Sequence, residues 1–443
     1  MHQEEPVRAL FTPSRIRFTL ALVAMALLVG SVCAAFLWSL DAVTRLRFAA
    51  PWLLYALPLV GAGVALLYGR FGTRAEAGNN LVLDEIHKPG AGVPLAMAPL
   101  IFIGTVATHL CGGSAGREGT AVQIGGSLAH GFVTRLGLDD KARRLLLMGG
   151  VAAGFGAVFG TPLAGAVFAI EVLALGGLEL SALGPCLVAA FAADFGCRIW
   201  GIHHTPYPHV TLPALSIAGF ALLLLKTASL GLACGAVARA FAEANHGLGD
   251  LYKRFVTRAW LRPVIGGLVV IALTFAFGTQ DYLGLGTLSP PPGAPTLPGF
   301  FAMPSDRWSW LAKLVFTVAT LSAGFKGGEV TPLFFIGAGL GSALAPVLGV
   351  PVPVLAAVGM VALFGAAANT PVACAIMGLE LFGLDVAPPL IVGCVAAYFA
   401  SGHGGIYLSQ RIARPKWPRR TGGESLRVLR EARRLARQER FSA

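Results

Sequence analysis

Apolar runs recur along almost the whole 443-residue chain, near 18–40, 49–69, 93–111, 145–170, 180–193, 214–242, 262–278, 309–323, 331–349 and 352–400. A membrane-crossing helix needs about 20 such residues, so this pattern predicts an all-α integral membrane protein. Only 13% of residues are charged and mean hydropathy is +0.71, against about 25% charged in soluble domains. No run alternates apolar and polar with period two, which argues against a membrane β-barrel. Several runs are short or broken, and 57 Gly with 28 Pro predict tight packing and interrupted helices. The run Phe18–Leu40 is longer than a typical signal core and is followed by further spans, so it reads as a retained first helix.

The seven cysteines (33, 111, 186, 197, 234, 374 and 394) lie mostly in apolar runs without CxxC spacing. They read as small packing residues, not as disulfides or metal ligands. Net charge is +12, and residues 411–443 hold eleven Lys/Arg against three Glu. Beside a membrane domain, the positive-inside rule explains this tail better than nucleic-acid binding does. With Arg8, Arg15 and Arg17 at the start, both ends are expected in the cytoplasm of a cell (inner) membrane protein. The stretch "ESLRVLREARRLARQERF" has the make-up of an amphipathic helix for an anionic bilayer surface.

The chain also repeats itself. "GGSAGREGTAVQIGGSLA" (112–129) resembles "AGFKGGEVTPLFFIGAGLGSALA" (323–345), aligning Glu118 with Glu329 and Thr120 with Thr331 at an offset of 211. "GVAAGFGAVFGTPLAGAVFAIEVLALGGL" (150–178) resembles "GMVALFGAAANTPVACAIMGLELFGLDVA" (359–387) at an offset of 209, matching Thr161-Pro162 with Thr370-Pro371 and Glu171 with Glu380. The expected organisation is a cytoplasmic segment 1–17, membrane repeats 18–200 and 201–410, and a basic cytoplasmic tail 411–443. Twofold repeats with Gly-broken helices at matching places mark secondary transporters, with the site at the repeat interface. Hydropathy leaves the relative orientation of the halves open.

Each Gly-rich break precedes a new apolar helix and can present a helix N-terminus at membrane depth, where unpaired N–H groups and the helix dipole favour an anion. "AEAGNNLVLDEI" (75–86) offers a third start, with Asn79 and Asn80 as cap-type residues. A carboxylate at such an end, as Glu118 in "GREGT" would be, competes with the anion and leaves when protonated. That links proton uptake to anion entry, and intramembrane ionisable groups are costly unless used. A structural Arg117–Glu118 pair is the plainer alternative. Glu171 and Glu380, at matching places, read as packing or capping carboxylates. Glu329 is a candidate second proton site. The histidines 203, 204 and 209 read as a solvated loop, and no nucleophile elbow, P-loop or HExxH motif supports an enzyme or a cofactor site.

On these residues the chain resembles the CLC family of chloride channels and anion/proton antiporters. "GREGT" is similar to the family's GREGP with Thr120 for Pro, "GGEVTP" (327–332) stands where chloride members carry GxFxP, and "SGHGGIYLSQRIA" (401–413) resembles the last helix, whose tyrosine lines the central anion site. The resemblance runs from about 17 to 413. It implies a CLC-type inverted repeat with half-spanning helices and a homodimer with one anion pathway per subunit. Where chloride members have GSGIP, this chain has "GNNLV", with Asn79 in the serine's place. Where exchangers have FxxEE, it has "FAIEV", with Val172 replacing the inner proton carboxylate. Both departures resemble the fluoride-exporting branch.

The resemblance therefore implies a fluoride/proton antiporter, with a chloride or nitrate exchanger or channel of the same fold as the alternative and a membrane sensor or scaffold as a third reading. Glu118 is expected to gate and carry protons, with Glu329 as the possible second site. Asn79, Gly116, Arg117, Gly119, Thr120, Val330, Thr331 and Tyr407 are expected around the anion. Fluoride is small and strongly hydrated, and several short donors are needed to replace its water.

Overall fold

The computed structural model describes residues 13–288, 293–417 and 422–442. Sixteen α-helices are found among them, with a two-residue parallel strand pair as the sheet. The first half contains α1 (Pro13–Ala49), α2 (Leu57–Phe71), α3 (Asn79–His87), α4 (Met97–Leu110), α5 (Glu118–Leu136), α6 (Asp140–Phe159), α7 (Pro162–Glu171) and α8 (Leu183–Arg198). The second contains α9 (Ile217–Phe255), α10 (Leu261–Phe277), α11 (Ser309–Ser322), α12 (Val330–Leu348), α13 (Val352–Ala368), α14 (Pro371–Phe382) and α15 (Ala387–Ala400), and α16 (Leu426–Ser442) closes the chain. Among the described residues, six helical stretches are long and apolar enough to cross a membrane. Shorter apolar helices such as α7, α11 and α14 are half-spanning pieces.

The glycine content is explained at the centre of the bundle. A Cβ on Gly125 in α5 would run into the carbonyl oxygen of Gly150 in α6, and one on Gly337 in α12 into that of Gly359 in α13. Both helix pairs thus touch backbone to backbone, which no larger residue permits. α13 is buried at every residue from Val354 to Ala368, so it is the middle of the core.

Two sets of reciprocal bonds fix how the halves are related. The Gly116 N–H donates to Gly328 O at 2.6 Å, and the Gly328 N–H donates to Gly116 O at 2.7 Å, an antiparallel bridge. Glu171, at the end of α7, accepts from the Val372 and Ala373 N–H groups at 3.0 and 2.7 Å at the start of α14. Glu380 in α14 returns the arrangement, accepting from the Leu163 and Ala164 N–H groups at 3.0 and 2.8 Å at the start of α7. The C-terminal end of each helix therefore caps the N-terminal end of the other. Only antiparallel neighbours related by a twofold axis across their length can do this, so the repeats are inverted. Both carboxylates are caps, one of the two readings the sequence left open.

Two expectations change. The bridge pairs Gly116 with Gly328, the residues preceding α5 and α12 are Arg117 and Glu329, and both helices end on a left-handed glycine, Gly137 or Gly349. The offset here is 212, not 211. Glu118 therefore matches Val330, Glu329 matches Arg117, and Thr120 matches Pro332. Gly/Ala-rich text tolerates a one-residue slip, whereas hydrogen-bond register does not. The basic tail also differs from a helix held by lipid alone. Leu426 and Leu429 of α16 are buried in a cluster with Leu175, Tyr398 and Ile412. Arg427 lies 3.6 Å from Asp84 of α3, and Arg430 lies 2.8 Å from Asp250 of α9.

Candidate functional site

The helix starts that face one another across the Gly116–Gly328 bridge bring the sequence candidates together. Glu118 is the first residue of α5, yet its carboxylate crosses to the start of α12. It accepts from the Thr331 N–H at 3.0 Å, and the Thr331 hydroxyl lies 2.7 Å from both of its oxygens. The Arg117 N–H donates to the same carboxylate at 3.1 Å, with the Arg117 Nε 3.6 Å away. Glu118 is 1% exposed. A carboxylate this deep is tolerable only where donors and positive potential replace water. Two backbone N–H groups, a hydroxyl and the positive end of α12 supply them here.

The neighbours of this seat come from three further segments. A Cβ on Gly119 would stand 3.0 Å from the Asn79 Nδ2 and 3.7 Å from a Glu329 carboxylate oxygen, so glycine lets both approach. Asn79 is the first residue of α3, and no side-chain cap is made there. Its Oδ1 is buried without a partner, so it is not the capping residue its type suggested. Tyr407 is 4% exposed and packs edge-on against Phe168 at 6.5 Å. Glu329 and Tyr407 both line a cavity of about 500 Å³ that also touches Asn79 and Arg430. A second cavity of about 770 Å³ is lined by Arg117 together with Trp38, His203 and Leu285. Arg117 thus lines the second of these vestibules and Glu329 the first, while the Glu118 carboxylate lines neither.

Some expected contributors serve the frame instead. The Gly116 N–H is used in the bridge to Gly328. The Thr120 hydroxyl is wholly buried and bonded to the Thr105 hydroxyl at 2.8 Å, which ties α5 to α4. Val330 is a buried apolar residue whose contribution can only be its backbone. Asn80, a cap-type residue by its place in the sequence, instead accepts from the Ser409 N–H at 2.9 Å and so fastens α3 to the loop that carries Tyr407. Gln123, not singled out from the sequence, lines the first vestibule beside Gly78; its place one turn into α5, after Gly119, was the available signal. The Val172 carbonyl accepts from Gln410 Nε2 at 2.9 Å.

Among the described residues no group of three His, Cys, Asp or Glu is placed to hold a metal ion. His203 and His209 are exposed, while His204 is half-buried against Gly160 with its Nε2 3.7 Å from Asp194. The seven cysteines are buried and unpaired.

A family model described as "Voltage gated chloride channel" matches residues 60–402. A protein of Pseudomonas syringae pv. tomato named "Chloride/fluoride channel protein" is 47% identical over 392 residues, covering 88% of this chain and 86% of that one. Among solved structures, one described as a "CLC-type fluoride/proton antiporter" superposes with a TM-score of 0.84 at 35% identity, covering 91% of this chain and all of the other. A "slow cyanobacterial Cl-/H+ antiporter" shares the fold at 19% identity and a TM-score of 0.74 over 97% of this chain.

Proposed function

The chain belongs to the CLC family of voltage-gated chloride channels, and on that premise we propose that it exports fluoride from the cytoplasm in exchange for protons. The observation that carries this reading is the Glu118 carboxylate seated on the Thr331 N–H and hydroxyl at the start of α12. Those donors suit any small anion, so the charged side chain and the transported ion compete for one place. Protonation removes the charge, and with it the charge-assisted bonds, each worth about 1.5–3 kcal/mol. The neutral side chain leaves with its proton, and the anion takes the donors.

Thr331, the backbone at 330–331, Asn79 and Tyr407 then surround the ion with hydrogen-bond donors, and Arg117 holds the local potential positive. Asn79 in the place of the chloride members' serine, together with the fluoride named for both the 47% and the 35% identical relatives, favours fluoride over chloride. With Val172 in place of an inner acid, Glu329 is the second proton site, at the wall of the first vestibule. Arg430 of the basic tail lines the same vestibule, so this vestibule is assigned to the cytoplasm, as are both chain ends. The protein is placed in the cell (inner) membrane as a homodimer, with repeats 18–200 and 201–410 and flanking segments 1–17 and 411–443. Light scattering in detergent that gave the mass of one chain would overturn the dimer.

Liposomes holding the purified protein with equal fluoride and chloride inside test the substrate. Fluoride is expected to leave at least about tenfold faster, a difference of about 1.4 kcal/mol, and to drive proton movement the other way. Equal rates would make this a chloride exchanger or channel of the same fold.

A further inference from the structure

The first vestibule contains one cation held in an unusual manner. Arg430 is paired with Asp250 at 2.8 Å, and Arg262 donates to the Val256 carbonyl at 3.0 Å. Lys253 is exposed at the end of α9. Lys326 is half-buried, three residues before Glu329, and lines the same vestibule. Its ammonium lies 4.1 Å from the centre of the Tyr68 ring, and no ion pair with it is found among the described residues. Its stem is seated on α4, where a Cβ on Gly104 would stand 2.9 Å from the Lys326 Cγ. The Tyr68 ring is itself 1% exposed in the core, so this platform is rigid.

We propose that Lys326 is the anion-recruiting residue of the inner vestibule, fixed by an aromatic face so that its charge stays available to the incoming ion. A carboxylate would hold the ammonium equally well but would cancel its field. The ring quadrupole attracts the cation without adding a net charge. Lys326 lines the same vestibule as the Glu329 carboxylate, whose charge would otherwise repel an anion. Glu76 of the 73–77 turn and Lys253, of opposite charge, line the same vestibule. The site takes a small monovalent anion and releases it readily, because a single ammonium in a wet vestibule does not chelate.

This inference rests on the transport reading above, and its test separates the two. Inside-out membrane vesicles expose the cytoplasmic face, and initial fluoride uptake is measured against fluoride concentration. Lys326→Gln is expected to raise the half-saturating concentration about three- to tenfold in dilute buffer, with the maximal rate within about twofold of wild type. Between about 0.01 M and about 1 M inert salt the screening length falls from about 30 Å to about 3 Å, and the difference should disappear. Lys326→Arg should restore the wild-type value, Tyr68→Phe should leave it unchanged, and Tyr68→Leu should raise it about twofold by releasing the ammonium. A lowered maximal rate at unchanged half-saturation, or a shift indifferent to salt, would overturn the proposal. Should Lys326→Gln fail to reach the membrane, Tyr68→Leu tests the same point, and an unchanged half-saturating concentration in that variant overturns the proposal. Absence of fluoride uptake by the wild-type protein would instead overturn the transport reading.

Discussion

The starts of α5 and α12 share one backbone frame and differ in almost every side chain. In register they pair Gly116 with Gly328, Arg117 with Glu329, Glu118 with Val330, Gly119 with Thr331 and Thr120 with Pro332. One half supplies a carboxylate and the other supplies the hydroxyl and N–H that hold it. The α7 and α14 pair behaves in the opposite way. There Glu171 and Glu380 match in position and in task, each capping the other half's helix. Where symmetry of the fold is matched by symmetry of chemistry, the carboxylates hold the frame. Where it is broken, the two halves together make a seat that neither contains alone.

The largest expected effect breaks the asymmetric pair. Glu118→Gln keeps the size of the side chain but cannot load or release a proton, so fluoride-driven proton movement into liposomes should be abolished. Glu329→Gln should reduce it without abolishing it. If Glu118→Gln still moves protons and Glu329→Gln does not, the two starts have exchanged tasks.

The donors come next. Thr331→Val removes the hydroxyl that touches both Glu118 oxygens, and Tyr407→Phe removes the hydroxyl from the last loop. Each should weaken fluoride binding, read by titration calorimetry, by about 1.5–3 kcal/mol, roughly ten- to a hundredfold. Unchanged binding in Tyr407→Phe would place the last loop outside the anion path.

The symmetric pair is expected to respond symmetrically. Glu171→Gln and Glu380→Gln each turn one acceptor toward an N–H group into a donor, costing about 1–3 kcal/mol of stability. Unfolding in detergent should show two similar losses, and the fluoride-to-proton ratio should stay at the wild-type value. A changed ratio in one variant alone would mean that the pair is not merely a frame.

A last effect concerns a second broken match. Gly160 ends α6 in the left-handed region, and its counterpart Asn369, with φ 57°, ends α13. The Asn369 side chain is held by Lys416, which donates to its Oδ1 at 2.7 Å and to the Tyr398 carbonyl at 2.7 Å. Burial of Lys416, in the segment after the last apolar helix, lowers its pKa to about 7. The unfolded chain then binds the extra proton more readily between about pH 7 and about pH 10.5. Stability should therefore rise with pH across that window, and Lys416→Met should flatten the rise.

What could be read along the chain was whatever depends on near neighbours. Membrane character follows from run length and the missing charge, helix breaks from glycine clusters, and the repeat from recurring motifs. Glu118, Asn79 and Thr331 stand out because each lies in a short motif beside a break, whereas Tyr407 was reached only through the family resemblance; the structure joins Glu118 to Thr331 and sets Asn79 and Tyr407 along one cavity. The roles of Gly116 and Thr120 were not legible. Whether an N–H or a hydroxyl is free depends on what packs against it, here Gly328 and Thr105.

The sequence by itself determined an all-helical membrane protein of two related halves, with ionisable residues at the interruptions. Tertiary structure decided the register of the halves, the reach of Glu118 across 213 positions to Thr331, the reciprocal caps and the docking of the basic tail. The reason is physical. Periodicity and composition describe which residues avoid water, and a slip of one residue changes neither. Hydrogen bonds of about 3 Å tolerate no such slip, so only close approach of distant segments could say which carboxylate meets which donor.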